Sequence, residues 1–261
     1  MQTVWYTHEI DALSGRIDPV VVAHIKAGHV ATFERLEDAY LLAFDWCALH
    51  SRHMAPARIV LYLEQEQMFV FCETEAAFEK MSRCMEEVRP GEHVFAGFFQ
   101  ALLRDDNRNL EALEGEITAL ENALLDRSKS EFVSDIKAFR KELLRLKRYY
   151  EELNDSFEGL LENEIELFSK TELHNRVDRL VSNVINLREY VTQVREAYQA
   201  QIDIEQNSIM KVFTVVTSVF LPLSLLVGWY GMNLKMPEFG WTYGYPMVIG
   251  LSVVICLVCI I

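Results

Sequence analysis

The chain has 261 residues, with 39 acidic against 25 basic side chains and a net charge of −14. Such an anionic excess excludes a nucleic-acid binder, which needs clustered Lys and Arg to displace counterions from phosphates, and it predicts a surface that attracts cations. Hydrophobic residues make up 51% and the mean hydropathy is +0.06, high for so acidic a chain, so the apolar residues must be concentrated somewhere.

Residues 1–90 mix two periods. Thr3 to Thr7, His29 to Glu34, Arg58 to Glu64 and Met68 to Glu73 are short runs rich in Val, Ile, Tyr and Phe, which predicts strands. Arg35 to Ser51 and Thr74 to Val88 carry apolar residues at helical spacing, which predicts helices. This is a small α/β domain closed by Pro90-Gly91. The start, Met1-Gln2-Thr3-Val4-Trp5, lacks the basic and apolar regions of a signal peptide, so the domain is expected in the cytoplasm. Five cysteines, Cys47, Cys72, Cys84, Cys256 and Cys259, follow no framework spacing and read as reduced thiols.

From Glu92 onward no proline occurs until Pro222, and the chain is dense in Leu, Glu, Lys and Arg. Three long helices are predicted: Glu92 to Arg127, Glu131 to Phe168, and one that starts at Thr171. The first two form a paired-helix region over 91–170, and 171–211 reads as a coiled-coil stalk. There Leu173, Val177, Leu180, Val184, Leu187, Val191, Val194 and Tyr198 alternate spacings of 4 and 3. Such a seam fits partner helices from other copies, and it equally fits the two preceding helices of the same chain. No breaker separates Thr171 from Leu221, so this helix is expected to run on into a membrane, and Thr171 to Tyr230 would span about 90 Å.

Between Lys211 and Lys235, and from Phe239 to Ile261, no residue is charged. Each run has the length needed to cross about 30 Å of hydrocarbon. Two transmembrane helices are therefore predicted, at 212–232 and 243–261, with a loop at 233–242. The class is α+β: a small N-terminal α/β domain, long helices forming a stalk, and two C-terminal membrane helices. Lys211 at the inner end of the first span agrees with an excess of positive charge inside, so both termini are expected in the cytoplasm and the loop outside.

The first span ends in Gly228-Trp229-Tyr230-Gly231-Met232-Asn233 and continues Leu234-Lys235-Met236-Pro237-Glu238. Tyr-Gly-Met-Asn at this exit, followed by Met-Pro-Glu, resembles the CorA divalent-cation transporters. Asn207-Ser208-Ile209-Met210-Lys211-Val212, Phe220-Leu221-Pro222-Leu223-Ser224 and Gly244-Tyr245-Pro246 are also similar to that family, over roughly Asn207 to Pro246. The resemblance implies a homopentamer in the cell (inner) membrane, with the first membrane helix lining the pore. It implies Mg²⁺ as the transported and regulatory ion, with Co²⁺ or Ni²⁺ also carried, and no cofactor. It places selectivity at Tyr230, Gly231, Met232 and Asn233, with Glu238 as an acid that concentrates cations outside. It implies gating by cytoplasmic Mg²⁺, for which Glu196, Asp203 and Glu205 on the stalk are candidate ligands. It also implies a basic tail after the second span, whereas this sequence stops at Ile261 among apolar residues.

The residues support a pore in their own right. Asn207, Met210, Thr214, Thr217, Leu221, Ser224 and Gly228 recur every three or four positions and share one uncharged helix face. Uncharged oxygens can hold a hydrated divalent ion through its waters without trapping it. Met210 and Phe213 could form an apolar constriction near the inner boundary. Small and hydroxylated residues also mark helix packing in membranes, so Thr214 and Thr217 remain open between the two roles. Two other functions stay open: a zinc transporter of the related branch that shares Gly-Met-Asn, and a membrane-tethered coiled-coil scaffold that conducts nothing.

Further signals are weaker. Cys47, His50 and His53 spread too far around a helix to converge on one ion. Asp105, Asn107, Asn109 and Glu116 echo a calcium loop, yet Leu110 stands where that loop needs glycine. No phosphate-binding glycine loop, zinc-protease motif or nucleophile elbow occurs, so an enzyme is not expected.

Overall fold

Strands β1 (Val4–Tyr6), β2 (Phe33–Arg35), β3 (Tyr40–Trp46), β4 (Ala57–Glu64) and β5 (Gln67–Cys72) form one sheet in the order β1-β5-β4-β3-β2. The computed structural model describes residues 3–13, 15–37, 39–48, 55–64, 67–90, 93–123, 129–162, 170–232 and 240–260. The two edge pairings differ in sense: β1 runs parallel to β5 and β2 antiparallel to β3. The inner pairs are antiparallel, with Leu41 opposite Tyr62, Phe44 opposite Ile59 and Leu61 opposite Val70.

This register gives the sheet two apolar faces. Leu41, Ala43, Val60, Tyr62, Phe69 and Phe71 form a core with Ile10 and Leu13 of a 3₁₀ helix (Thr7–Leu13) and with Val21, Val22 and Ile25 of α1 (Pro19–Ala27). Asp18 caps α1 by accepting from the Val20 amide at 2.8 Å. On the other face lie α2 (Glu75–Glu86), α3 (Val94–Leu102) and α5 (Lys129–Glu162). The Phe44 ring lies 6.1 Å from Phe99 and 6.0 Å from Tyr149, and Phe157 meets Phe99 edge-on at 4.9 Å. Gly159 on α5 allows a close approach, because a Cβ there would come within 2.5 Å of the Phe33 ring.

Several local expectations need correction. Within the helix expected over 35–51, residues Tyr40–Trp46 are strand β3. Leu41, Leu42, Ala43 and Phe44 are all fully buried, and a strand covered on both faces loses its alternation, so its apolar run imitates a buried helix. Of the strand expected over 29–34, only Phe33 and Glu34 belong to β2. The long helix expected over 92–127 is two helices, α3 and α4 (Asp106–Asn122). α3 is apolar on all sides and lies under the sheet, whereas α4 buries a single stripe of Leu110, Leu113, Ile117 and Leu120. At their junction Leu103 O accepts from the Asp106 amide at 3.3 Å and also from the Arg176 guanidinium at 2.9 Å.

Helix α6 runs Lys170–Tyr230 and α7 Gly244–Ile260. The chain divides into two compact units, Met1–Arg195 and Glu196–Ile261. In the first, the α6 seam from Leu173 to Val194 is buried by the chain itself, together with the α4 stripe and Ile136, Phe139 and Leu143 of α5. Of the two partners open to the seam, the helices of its own chain occupy it. Thr118 and Glu121 of α4 bond the Tyr190 hydroxyl of α6 across that contact.

Candidate functional site

In the second unit, the residues expected to line a pore all lie on α6 and are exposed: Asn207, Met210, Phe213, Thr214, Thr217, Leu221, Ser224 and Gly228. At about 3.6 residues per turn, all but Phe213 fall within one third of the helix circumference, and Phe213 borders that face. The half-buried positions of this stretch form another stripe, Val219, Pro222, Leu223, Leu226 and Tyr230, on the opposite side. α7 likewise has one half-buried stripe, Val248, Ser252, Ile255 and Cys256. The hydroxyl-bearing face of α6 thus points away from the side that this unit covers.

The hydroxyls have a defined polarity. Thr214 donates to Met210 O at 2.8 Å, Thr217 to Phe213 O at 2.7 Å and Ser218 to Thr214 O at 2.7 Å. Each proton is engaged by the carbonyl four residues back, so the outward-facing part of each oxygen is lone pair. The face is an acceptor surface.

Two of the three candidate acids extend this face. Glu196 and Asp203 are exposed on α6 in angular register with Asn207, whereas Glu205 falls on the other side of the helix. Among the described residues no group of three His, Cys, Asp or Glu side chains gathers to hold a metal. At the far end Tyr230 closes α6, and Gly231 and Met232 form the turn that follows. The Gly231 amide donates to Val227 O at 2.8 Å, and a Cβ at Gly231 would meet that oxygen at 2.9 Å. Close approach of the backbone is therefore what glycine permits there. Asn233 and Glu238 lie outside the described residues, as do His50 and His53. Asp105 stands just before α4 at the N-cap position, without a side-chain cap bond, and Asn107, Asn109 and Glu116 lie inside that helix, so these four form no calcium loop.

One helix among those described, α6, is long and apolar enough to cross a membrane, and the chain leaves its apolar stretch exposed. α7 is apolar and shorter, at 17 residues. A family model described as CorA-like Mg²⁺ transporter protein matches residues 7–261. The chain belongs to this family. The CorA-like match thus takes in strands β2 to β5 of the sheet, the long helices and the C-terminal apolar helices together. Among curated relatives, the cobalt/magnesium transport protein CorA of Thermotoga maritima is 26% identical over 177 residues, 65% of this chain and 50% of that protein. The magnesium transport protein CorA of Mannheimia succiniciproducens is 42% identical over 83 residues, 31% of this chain and 26% of its own length. The chain thus spans about half the length of the first relative and about a quarter of the second. Among solved structures, the CorA magnesium transporter of Methanocaldococcus jannaschii superposes with a TM-score of 0.77 at 20% identity, covering 98% of this chain and 87% of that one. The full-length CmaX protein gives 0.71 at 14% identity with the same coverage, 98% and 87%. These likenesses show that the α+β fold is that of the CorA structures.

A second polar feature has no signature in the sequence. Asp106 opens α4 at the α3–α4 junction, 5% exposed, and accepts from the Tyr150 hydroxyl at 3.0 Å. Burial pushes its carboxyl up to about 6, against the lowering effect of the Tyr150 bond and of Lys80 and Arg176. Asp105 drew attention through its spacing, but no periodic signal marks an acid that turns inward at a helix start. Burial also pushes the Cys72 thiol up to about 12 and raises Cys47 and Cys84, which keeps these thiols protonated and unreactive.

Proposed function

We propose that the chain is one subunit of a homopentameric, channel-like transporter that carries Mg²⁺, and also Co²⁺ and Ni²⁺, across the inner membrane and is gated by cytoplasmic Mg²⁺. The acceptor face of α6, turned away from the side its own unit covers, carries this reading. Two helices cannot enclose a water-filled path, so several copies must bring this face together around an axis. Mg²⁺ gives up its waters reluctantly, and those waters present O–H groups outward. Thr214, Thr217 and Ser224 accept from them, so the ion passes as a hydrate and is held weakly enough to leave. Glu196 and Asp203 on the same face raise the local cation concentration at the cytoplasmic end, and Glu238 does so outside.

In the gate, Mg²⁺ at Glu196 and Asp203 screens acids that otherwise repel one another, and so favours the closed assembly. Asn233 forms an amide ring at the external mouth where the hydrated ion is selected. Both chain ends are cytoplasmic, and the loop at 233–242 is external.

The test is Mg²⁺ entry into proteoliposomes carrying a trapped Mg²⁺ dye under an inside-negative potential, comparing the chain with Asn233→Ala. Loss of entry in the variant supports selection at the mouth. Entry of Zn²⁺ but not Mg²⁺ would assign the chain to zinc transport, and no entry of either ion would leave a scaffold. Glu196→Lys is expected to weaken the dependence of entry on internal Mg²⁺; unchanged regulation in that variant removes Glu196 from the gate.

A further inference from the structure

On one flank of α6, residues Lys137, Arg140 and Lys141 of α5 and Arg188 of α6 line an open groove of about 540 Å³, with Glu189 as its one acid. This is a concentration of positive charge on a chain whose net charge is −14. None of the four cations has an ion-pair partner among the described residues.

The apolar residues around this groove are as unusual as its charge. In the first unit, the large hydrophobic side chains exposed among the described residues are Val20, Val133, Leu144 and Ile185. Leu144, 40% exposed, lines the groove itself. Val133, at 38%, continues the α5 stripe of Lys137, Arg140 and Lys141, and Ile185, at 44%, continues the α6 stripe of Arg188 and Thr192. Apolar side chains rimmed by unpaired cations form a surface suited to an acidic protein partner.

The chain carries the complementary surface. On the opposite flank of α6, a groove shared with α4 is lined by Glu111 and Glu114, with Arg179 as its one cation. α4 as a whole carries Asp106, Glu111, Glu114, Glu116 and Glu121 against Arg108 alone. One unit thus has a basic apolar flank and an acidic flank on opposite sides of the same helix. Surfaces of this kind meet head to tail, and head-to-tail contacts repeated by rotation close into a ring.

We infer that the basic α5–α6 groove of one copy docks on the acidic α4 flank of the next, and that this contact sets the direction and register of the assembled ring. The inference rests on the multimeric reading above and adds which surfaces meet. The charges act chiefly on register and on the choice of face, while Leu144, Val133 and Ile185 supply the dry contact.

The test uses the full chain in detergent and in proteoliposomes, with Cys256 and Cys259 replaced by Ala and the buried native thiols kept. A chain carrying both Arg140→Cys and Glu114→Cys is expected to give a ladder of disulfide-linked species on mild oxidation. A mixture of the two single variants is expected to give linked pairs, and each single variant alone none. Reversing one side with Lys137→Glu, Arg140→Glu and Lys141→Glu should lower crosslinking between Leu144→Cys and Asn107→Cys, the latter on the acidic groove, about tenfold. Adding Glu111→Lys and Glu114→Lys should restore it.

If light scattering shows an oligomer and Mg²⁺ enters, yet no crosslink forms and reversal changes nothing, the docking is overturned and the transporter reading stands. A monomer without Mg²⁺ entry overturns both. Linked pairs from a single variant overturn the head-to-tail arrangement. Protection of Lys137 and Lys141 from acetylation by inorganic triphosphate, without crosslinks, overturns it in favour of a small polyanion.

Discussion

Phe99 and Phe213 are the same side chain in two different solvents. Phe99 is 0% exposed beneath the sheet, among Phe44, Phe95, Phe98 and Phe157, whereas Phe213 is 70% exposed on α6. The N-terminal unit builds its own interior, so its apolar residues are covered by the chain. The C-terminal unit covers one stripe on each of its helices and leaves Val212, Val216, Phe220, Leu225 and Val227 bare. In water such a surface is an aggregation hazard, and its cover must come from outside the chain. Bare apolar area therefore means opposite things in the two units. On α6 beyond Glu196 it is the rule, and on α5 it is confined to one basic groove and its border.

This contrast makes the two units respond differently to the same kind of change. Phe99→Ala is expected to destabilise the N-terminal unit by about 3–5 kcal/mol through the lost contacts and the cavity left behind. Phe213→Ala should leave the thermal midpoint of that unit unchanged. Near-UV circular dichroism of the full chain in detergent distinguishes the two, and equal shifts would mean that the second unit also packs as a closed core.

A charge makes the next comparison. The folded Asp106 carboxyl titrates at about 6 against its ordinary 3.8, so the folded state binds the proton more tightly than the unfolded one. The stability from this group is fully present below about pH 4 and falls as pH rises toward 6, by on the order of 3 kcal/mol. Above that window it is flat. Asp106→Asn should remove this slope from the pH dependence of the N-terminal unit, as followed by thermal unfolding between pH 4 and 7. A slope that persists would assign the titration to another group.

The smallest effect is expected on the open face of α6. Thr217→Val keeps the shape and removes one acceptor per subunit, an interaction worth about 1 kcal/mol, which corresponds to a roughly fivefold fall in Mg²⁺ entry with the stability of the N-terminal unit unchanged. Unaltered entry would mean that Thr217 serves helix packing, the role its residue type fits equally well.

Some features were legible because they are properties of the chain in one dimension. The uncharged runs from Lys211 to Lys235 and from Phe239 to Ile261 need only be counted, and the 4-3 spacing of α6 identifies both its seam and the hydroxyl face farther along. The motif around Gly231 pointed to a family that the match over residues 7–261 establishes. Periodicity reports which side of an element is buried, not what buries it. Hence the seam from Leu173 to Val194 could be recognised, yet whether α4 and α5 or a second chain filled it depended on how far apart in sequence its partners lay. Elements buried on every side carry no period at all, which is why the sequence of β3 reads as a helix and the α3–α4 junction leaves no mark in the spacing. The inward turn of Asp106, the side of α6 left uncovered and the gathering of Lys137, Arg140, Lys141 and Arg188 into one groove each join residues from different elements. Such juxtapositions exist only once the chain has folded, because the free energy that selects them comes from packing between segments and not from any one segment's own preference.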